Sequence, residues 1–146
     1  MHIHHPPTMA VSAMKCGLLP LTQDSCILGK ISYHNYEGIA IDKKEIESLG
    51  RDCGETNRVM MLKNHGALTL GRSVGEMFLL MYYVVKSCES QVQAFSAGGI
   101  DAVHQIPQAT RELVHKQATS FNAEVGKTEF EYLRRQLNNV STEYMN

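Results

Sequence analysis

The pattern of apolar and polar positions predicts strands alternating with helices along the chain. Val59 to Leu62 is an unbroken apolar run, typical of a strand buried on both faces, and residues 67–70 form a second strand candidate. Ile31 and Tyr33 alternate with polar neighbours, which predicts a strand within residues 30–36. We therefore expect a sheet whose strands frame the corner Asn64-His65-Gly66.

Helical periodicity is clearest in residues 73–97. Ser73 and Glu76 have the spacing of a capping box, and Gly98 with Gly99 predicts the helix end. The apolar positions of this segment follow a helical repeat: Met77, Leu80, Met81, Val84, Cys88, Val92 and Phe95. We expect one long helix, with Leu80, Met81, Val84 and Cys88 buried in the core.

The remaining segments predict four shorter helices. Residues 8–16 form the first, which Gly17 ends, and polar residues after Pro20 break the chain. Asp42 and Glu45 predict a capping box for a helix over residues 42–49, ended by Gly50 or Gly54. Two amphipathic helices follow Pro107, with apolar positions at Leu113, Ala118 and Phe121 and then at Phe130, Leu133 and Leu137. Residues 124–127 link them.

Composition and charge restrict the class of protein. The chain has 146 residues, 43% hydrophobic and 20% charged, as expected of one globular domain. Its formal net charge of −1 gives no field that attracts nucleic acid or an anionic membrane. The start lacks the pattern of a signal peptide, and residues 77–85 are too short an apolar run to span a bilayer. The cysteines, which are far apart in sequence, are expected to be reduced structural thiols of a cytosolic protein: Cys16, Cys26, Cys53 and Cys88.

Three histidines form a candidate zinc site. His2 and His4 point to the same face if they lie on a strand, and His65 at a distant strand end can complete a set of three nitrogen ligands. Asn64 and Gly66 around it favour a tight turn. The alternative is that His65 only packs at a strand end and that the His-x-His pair is incidental.

The other histidines and the tyrosines are interpreted as structural or exposed. His5 faces away from its neighbour His4 and is expected to be exposed to solvent. His34 is either a proton donor near the site or, as we favour, a structural histidine. His104 and His115 are interpreted as surface residues. We interpret four tyrosines as packing residues rather than catalytic acids: Tyr33, Tyr36, Tyr82 and Tyr83.

Several motifs resemble the class II aldolase/adducin family, and its adducin branch in particular. They are HIH with PP at the start, AVSAMKCGLLP (10–20), YHNYEGI (33–39), MLKNHGALTLG (61–71), CESQVQAFSAGG (88–99) and EFEYLRRQLNN (129–139). The resemblance implies a three-layer α/β/α fold of the class II aldolase type, with a mostly antiparallel central sheet. Residues 1–146 are interpreted as a partial, N-terminally truncated head domain, without the strand that leads into the His-x-His.

The enzymes of this family imply a zinc site at His2, His4 and His65. Zinc polarises the substrate carbonyl there while a glutamate moves the proton. In the family this glutamate and the phosphate-binding loops precede the His-x-His, so we expect them to be absent and expect no aldolase activity. The remaining candidates for a proton-transfer carboxylate, Glu37, Glu45 and Glu47, do not lie in a recognisable catalytic motif.

Adducins imply a different function on the same fold. They are cytoskeletal proteins that form oligomers and promote attachment of spectrin to actin filaments at the membrane cortex. We expect a cytoplasmic, non-enzymatic scaffold or oligomerisation domain that self-associates. We expect it to contact actin and spectrin through a full adducin homo- or hetero-oligomer. Contact with the membrane is expected to be only peripheral, since residues 141–146 are not lysine-rich. The alternatives are a zinc-dependent lyase or epimerase acting on small (phospho)sugars, and a degenerate product without independent function.

Overall fold

A four-stranded mixed sheet lies at the centre of the chain. The computed structural model describes residues 1–38, 43–120 and 125–145, with side chains from residue 46 onward in the second range. The strands are β1 (His2–Ile3), β2 (Ile31–His34), β3 (Val59–Leu62) and β4 (Gly66–Thr69), in the order β1-β4-β3-β2. β4 pairs antiparallel with β1 and β3, whereas β2 and β3 are parallel. The prediction of β3 is confirmed at both ends, and β4 begins one residue earlier than predicted.

Within the described residues, six α-helices accompany this sheet. They are α1 (Pro6–Ser12), α2 (Gln23–Ile27), α3 (Lys43–Cys53), α4 (Val74–Phe95), α5 (Gln108–Ser120) and α6 (Lys127–Asn138), with short 3₁₀ helices at Gly99–Ala102 and Glu143–Met145. α1 and α4 pack on β4, and α3 packs against β2. The prediction of an α/β fold with helical layers around the sheet is therefore confirmed.

The two faces of β3 bury different clusters. Val59 and Met61 join Ala67, Val84 and Cys88 in the larger core on the side of α1 and α4. Met60 and Leu62 pack with Cys53, Leu49 and Leu68 on the opposite face. A strand with apolar residues at every position is buried on both faces, and this is why the continuous run was a reliable strand signal.

The long helix α4 confirms the predicted element with one correction. The Ser73 hydroxyl accepts a hydrogen bond from the Glu76 amide at 3.1 Å, while the Glu76 carboxylate accepts from the amide of Arg72. Met81, Val84 and Cys88 are buried as predicted. Leu80 is buried only in part: it packs against the core, but it also lines a groove between α4 and α5 and stays partly accessible there.

Helix boundaries differ from the predicted ones near prolines and short polar segments. α1 begins at Pro6 because proline suits the first helical turn, where no amide donor is needed. α2 forms where a chain break was predicted, since Thr22 and Ser25 cap each other's amides at 3.1 and 3.3 Å. α3 continues through Gly50 and is followed by Gly54 at φ +70°.

The remaining local predictions are confirmed in part. Both amphipathic helices exist, as α5 and α6, although Phe121 and Glu124 lie outside the described residues. The capping box at Asp42 and Glu45 stays a prediction, because Asp42 and the side chain of Glu45 also lie outside them. The four cysteines are free, and burial raises the pKa of the Cys88 thiol to about 12. Within the described residues, no helix is both long and apolar enough to cross a membrane.

Candidate metal centre

Strand pairing fixes the first two histidines of the candidate site. His2 lies opposite Leu68 and Ile3 opposite Ala67 in the antiparallel pair of β1 and β4. The amino group of Met1 donates to the carbonyl of Thr69 at 2.8 Å, and the Thr69 amide donates to the carbonyl of Met1 at 2.8 Å. Successive residues of a strand point to opposite faces, so His2 and His4 project to the same side.

A tight turn between β3 and β4 positions the third histidine. Asn64 adopts φ +57°, and its amide donates to the carbonyl of Ser12 at 3.2 Å. The His65 amide donates to the Ser12 hydroxyl at 3.2 Å, so the end of α1 holds the turn. A Cβ on Gly66 would lie 2.3 Å from the carbonyl oxygen of Ile3, which explains why glycine is needed where β4 meets β1.

These elements bring His2, His4 and His65 together, as predicted. Their ring centroids are 4.6–4.8 Å apart, and one nitrogen from each ring lies within 4.8 Å of the others. Zinc–nitrogen bonds are about 2.0–2.1 Å long, so the three nitrogens lie near the spacing that one ion would require and would have to converge slightly on binding. The residues present therefore fit a zinc ion.

Charge and exposure also suit a metal. Burial, followed by the proximity of His65 and His4, lowers the pKa of His2 and so favours the neutral imidazole that binds metals. His2 and His4 are exposed and His65 is half-buried. The cluster is therefore accessible from solvent, which leaves room for a further ligand.

The other predicted histidine positions need two corrections. His5 lies outside the cluster, as predicted, but it is only partly exposed to solvent. It lies where the chain enters α1, and its Nδ1 has no hydrogen-bond partner among the described residues. His115 is not a free surface residue, because its ring bonds the carbonyl of Ile27 at 2.9 Å and joins α5 to α2. His104 is exposed, as predicted.

Tyr36 and Glu37 border the site, a placement that the sequence did not predict. The Tyr36 ring lies 5.8 Å from that of His65 and is half-exposed, so Tyr36 borders the cluster and is not a core residue. Glu37 lines a cavity of about 100 Å³ beside the cluster, shared with His2 and His65. Its carboxylate accepts a hydrogen bond from the Ser48 hydroxyl at 3.1 Å. The motif YHNYEGI contained both residues, but only the fold places them beside a strand 30 residues away.

His34 lines the same cavity from the end of β2. Its side chain is 3% exposed, and its Nδ1 lies 2.8 Å from the Asp52 carboxylate on α3. The hydrogen bond with His34 is the main cause that lowers the pKa of Asp52 below its ordinary value. The structural interpretation of His34 is thus consistent with this contact, and the ring also borders the site.

Comparison with known proteins places these features in a family. The family model described as "Class II Aldolase and Adducin N-terminal domain" matches residues 1–92. Human gamma-adducin is 37% identical over 152 residues, covering 96% of this chain and 22% of the adducin. A putative aldolase class 2 protein of Caulobacter vibrioides is 44% identical over 118 residues, covering 80% of this chain and 45% of that protein.

A solved structure agrees with the fold over the whole chain. The crystal structure of an aldolase II superfamily protein from Pseudomonas syringae has a TM-score of 0.89 and 36% sequence identity. It covers 100% of this chain, which in turn spans 58% of that protein. The chain thus spans between about a fifth and somewhat over half of the length of these relatives.

Proposed function

The chain belongs to the class II aldolase and adducin family, and from this premise we propose that it is an adducin-like module that binds zinc through His2, His4 and His65. The observation that supports metal binding is that one imidazole nitrogen of each histidine lies within 4.8 Å of the other two. When bound there, zinc polarises an oxygen of a small ligand as a Lewis acid. The protein's own contribution is to fix the three rings through the β1 pairing and the turn held by Ser12.

For the protein as a whole we propose a non-enzymatic role as a cytoskeletal scaffold or oligomerisation domain. It would contact actin and spectrin through an adducin-type oligomer at the membrane cortex in the cytoplasm. The similarity to adducins over 96% of the chain supports this proposal. So does a set of exposed apolar side chains in the C-terminal region, since such surface favours contact with another subunit: Leu133, Leu137, Val140, Tyr144 and Met145.

A second candidate function is a zinc-dependent lyase or epimerase acting on small (phospho)sugars. The observation that favours it is the Glu37 carboxylate on the cavity beside the histidines, because the chemistry needs a group that moves a proton near the metal-bound ligand. Relatives in Caulobacter vibrioides and Pseudomonas aeruginosa carry the description putative aldolase class 2 protein.

Zinc binding is tested by calorimetric titration of chelator-treated protein. We expect one zinc per chain, and at least about 100-fold weaker binding in His65→Ala, because loss of a ligand should exceed the 10–100-fold cost of losing a ligand's supporting contact. His104→Ala, which removes an exposed histidine outside the cluster, is the matched control. Wild-type protein without stoichiometric zinc, or equal binding in His65→Ala, would contradict the metal proposal.

Two measurements on the zinc-loaded protein separate the scaffold from the enzyme. We expect sedimentation equilibrium to show self-association that Leu137→Glu weakens, and no release of aldehyde from small phosphorylated ketoses. Gln136→Glu places the same charge at a neighbouring exposed position and serves as control. Zinc-dependent turnover that Glu37→Gln abolishes, in a protein that stays monomeric, would reject the scaffold and favour the enzyme.

A further inference from the structure

His34 and the histidine cluster face the same side of the sheet. In the registered pairs, His2 lies opposite Leu68, Leu68 opposite Met60, and Met60 opposite Ser32. Paired residues of neighbouring strands point to one face, and His34 lies two positions after Ser32 on β2. His2 and His34 therefore project toward the side that α3 covers, and both line the small cavity there.

The Asp52 carboxylate determines which nitrogen of His34 is available. The pKa of Asp52 is lowered, so this group is ionised at neutral pH and accepts hydrogen bonds only. The Nδ1–H of His34 must then donate to it across the 2.8 Å contact. In the neutral imidazole the other nitrogen, Nε2, carries a lone pair and acts as an acceptor.

Nε2 of His34 has no hydrogen-bond partner among the described residues. It is a buried atom of a side chain that is 3% exposed. A buried acceptor without a donor is costly, so this nitrogen calls for a donor from outside the chain, either a water or a group of a bound ligand. His34 lines the cavity together with His2 and His65, so we infer that this partner approaches from the cavity side.

We propose that Nε2 of His34 accepts a hydrogen bond from a hydroxyl group of a small ligand held at the three-histidine centre. The cavity of about 100 Å³ has the volume of about three waters, which fits a two- or three-carbon compound carrying one hydroxyl beside its metal-binding oxygen. His34 is then a ligand-binding residue, and Asp52 is the residue that positions it. This inference rests on the proposed zinc binding and adds a ligand-binding residue to that site.

The test compares two probes that differ by one hydroxyl. Acetohydroxamate and glycolohydroxamate carry the same zinc-binding group, and only the second carries a hydroxyl on the adjacent carbon. In the zinc-loaded protein we expect glycolohydroxamate to bind about 10-fold more tightly than acetohydroxamate, measured by calorimetric titration. His34→Asn keeps a donor toward Asp52 but has no atom at the position of Nε2, and we expect the two probes to bind it equally.

Further variants separate recognition from structure. His115→Asn changes a half-buried histidine whose Nδ1 hydrogen-bonds a backbone carbonyl away from the cavity, and we expect this variant to keep the 10-fold preference. Asp52→Ala frees the ring of His34 and is expected to reduce the preference at unchanged zinc affinity. If His34→Asn fails to fold, His34→Gln decides, because its amide oxygen reaches the region of Nε2 and is expected to retain part of the preference.

The outcomes distinguish this inference from the proposed function. Full zinc binding with the same probe preference in wild type and His34→Asn would overturn the inference alone. Equal affinity of the wild-type protein for the two probes would also overturn it. Absence of zinc binding in the wild-type protein would overturn both, and the metal titration would show that directly.

Discussion

The sheet region and the C-terminal helices of this chain differ in how deeply their side chains are buried. Every buried apolar residue of the described core lies between Val11 and Cys88, whereas no described residue of α5 is buried and α6 likewise has none. The histidine cluster belongs entirely to the first region. The candidate site is thus supported by tight packing, and the surface proposed for assembly lies where packing is sparse.

The C-terminal helices pack on α2 and α4 through contacts that leave none of their own described residues fully buried. Phe130 meets Phe78 of α4 with ring centroids 6.1 Å apart, and His115 bonds the carbonyl of Ile27. Gly75 and Gly126 approach closely, since a Cβ on Gly75 would lie 2.8 Å from the Gly126 carbonyl oxygen. Few buried contacts mean a low free energy of local opening, so these helices are expected to exchange amide hydrogens faster than the sheet does.

The largest expected effect separates the two regions by stability. Met61 is fully buried in the core, and Met61→Ala should lower the free energy of unfolding by about 2–5 kcal/mol through lost burial and a cavity. Leu137 on α6 is 47% exposed, and Leu137→Ala should change the same quantity by less than about 0.5 kcal/mol in dilute monomeric protein. Urea unfolding measures both values. Equal losses in the two variants would show that the C-terminal helices belong to the same packed unit as the sheet.

A second effect concerns the loop that joins α1 to α2. Gln91 of α4 is fully buried; its amide oxygen accepts from the Leu19 amide at 2.7 Å, and its Nε2 donates to the Gly17 carbonyl at 2.8 Å. Gln91→Ala leaves both backbone groups without partners, so we expect a loss of about 1–3 kcal/mol in the free energy of unfolding. Gln93→Ala, at an exposed position of α4, is the matched control. If Gln91→Ala loses less free energy of unfolding than Gln93→Ala, the loop is held by other contacts.

Features governed by local rules were predictable from the sequence. The apolar run of β3 and the helical repeat and cap of α4 depend on neighbours in sequence, and the structure confirms both elements. The convergence of His2 and His4 follows from strand alternation, and its extension to His65 came from the family resemblance as well as from the turn residues. The sheet region carries most of these signals, and the family model also matches it.

Features that depend on contacts distant in sequence were missed. The short helix α2 is capped by two hydroxyl side chains that also suit a loop, so its sequence did not separate the two states. Leu80 has the correct helical spacing, but its exposure depends on how closely α5 packs. The cavity of His34, Tyr36 and Glu37 arises from the parallel pairing of β2 with β3, and no local pattern indicates a parallel register.

The smallest expected effect tests how the sheet region depends on pH. The pKa of Asp52 in the folded protein lies below its ordinary value of 3.8, mainly because of the hydrogen bond with His34. Between the two values the unfolded chain binds more protons than the folded one, so folding gains stability as pH rises through this range. The stabilisation of the fold by the ionised Asp52 carboxylate is therefore complete above about pH 5. It is lost as the pH falls through the pKa of Asp52 in the folded protein, below about pH 3.8.

Asp52→Asn removes this carboxylate while keeping its shape, and urea unfolding from pH 7 down to pH 3 measures the consequence. We expect the variant to be less stable than wild type by a constant amount above about pH 5, with the difference shrinking as the pH falls toward 3, because protonation then removes the same charge from the wild-type protein. Asp101→Asn, at an exposed position after α4, should show no such convergence. A difference between wild type and Asp52→Asn that stays constant down to pH 3 would mean that the ionised carboxylate does not stabilise the fold through His34.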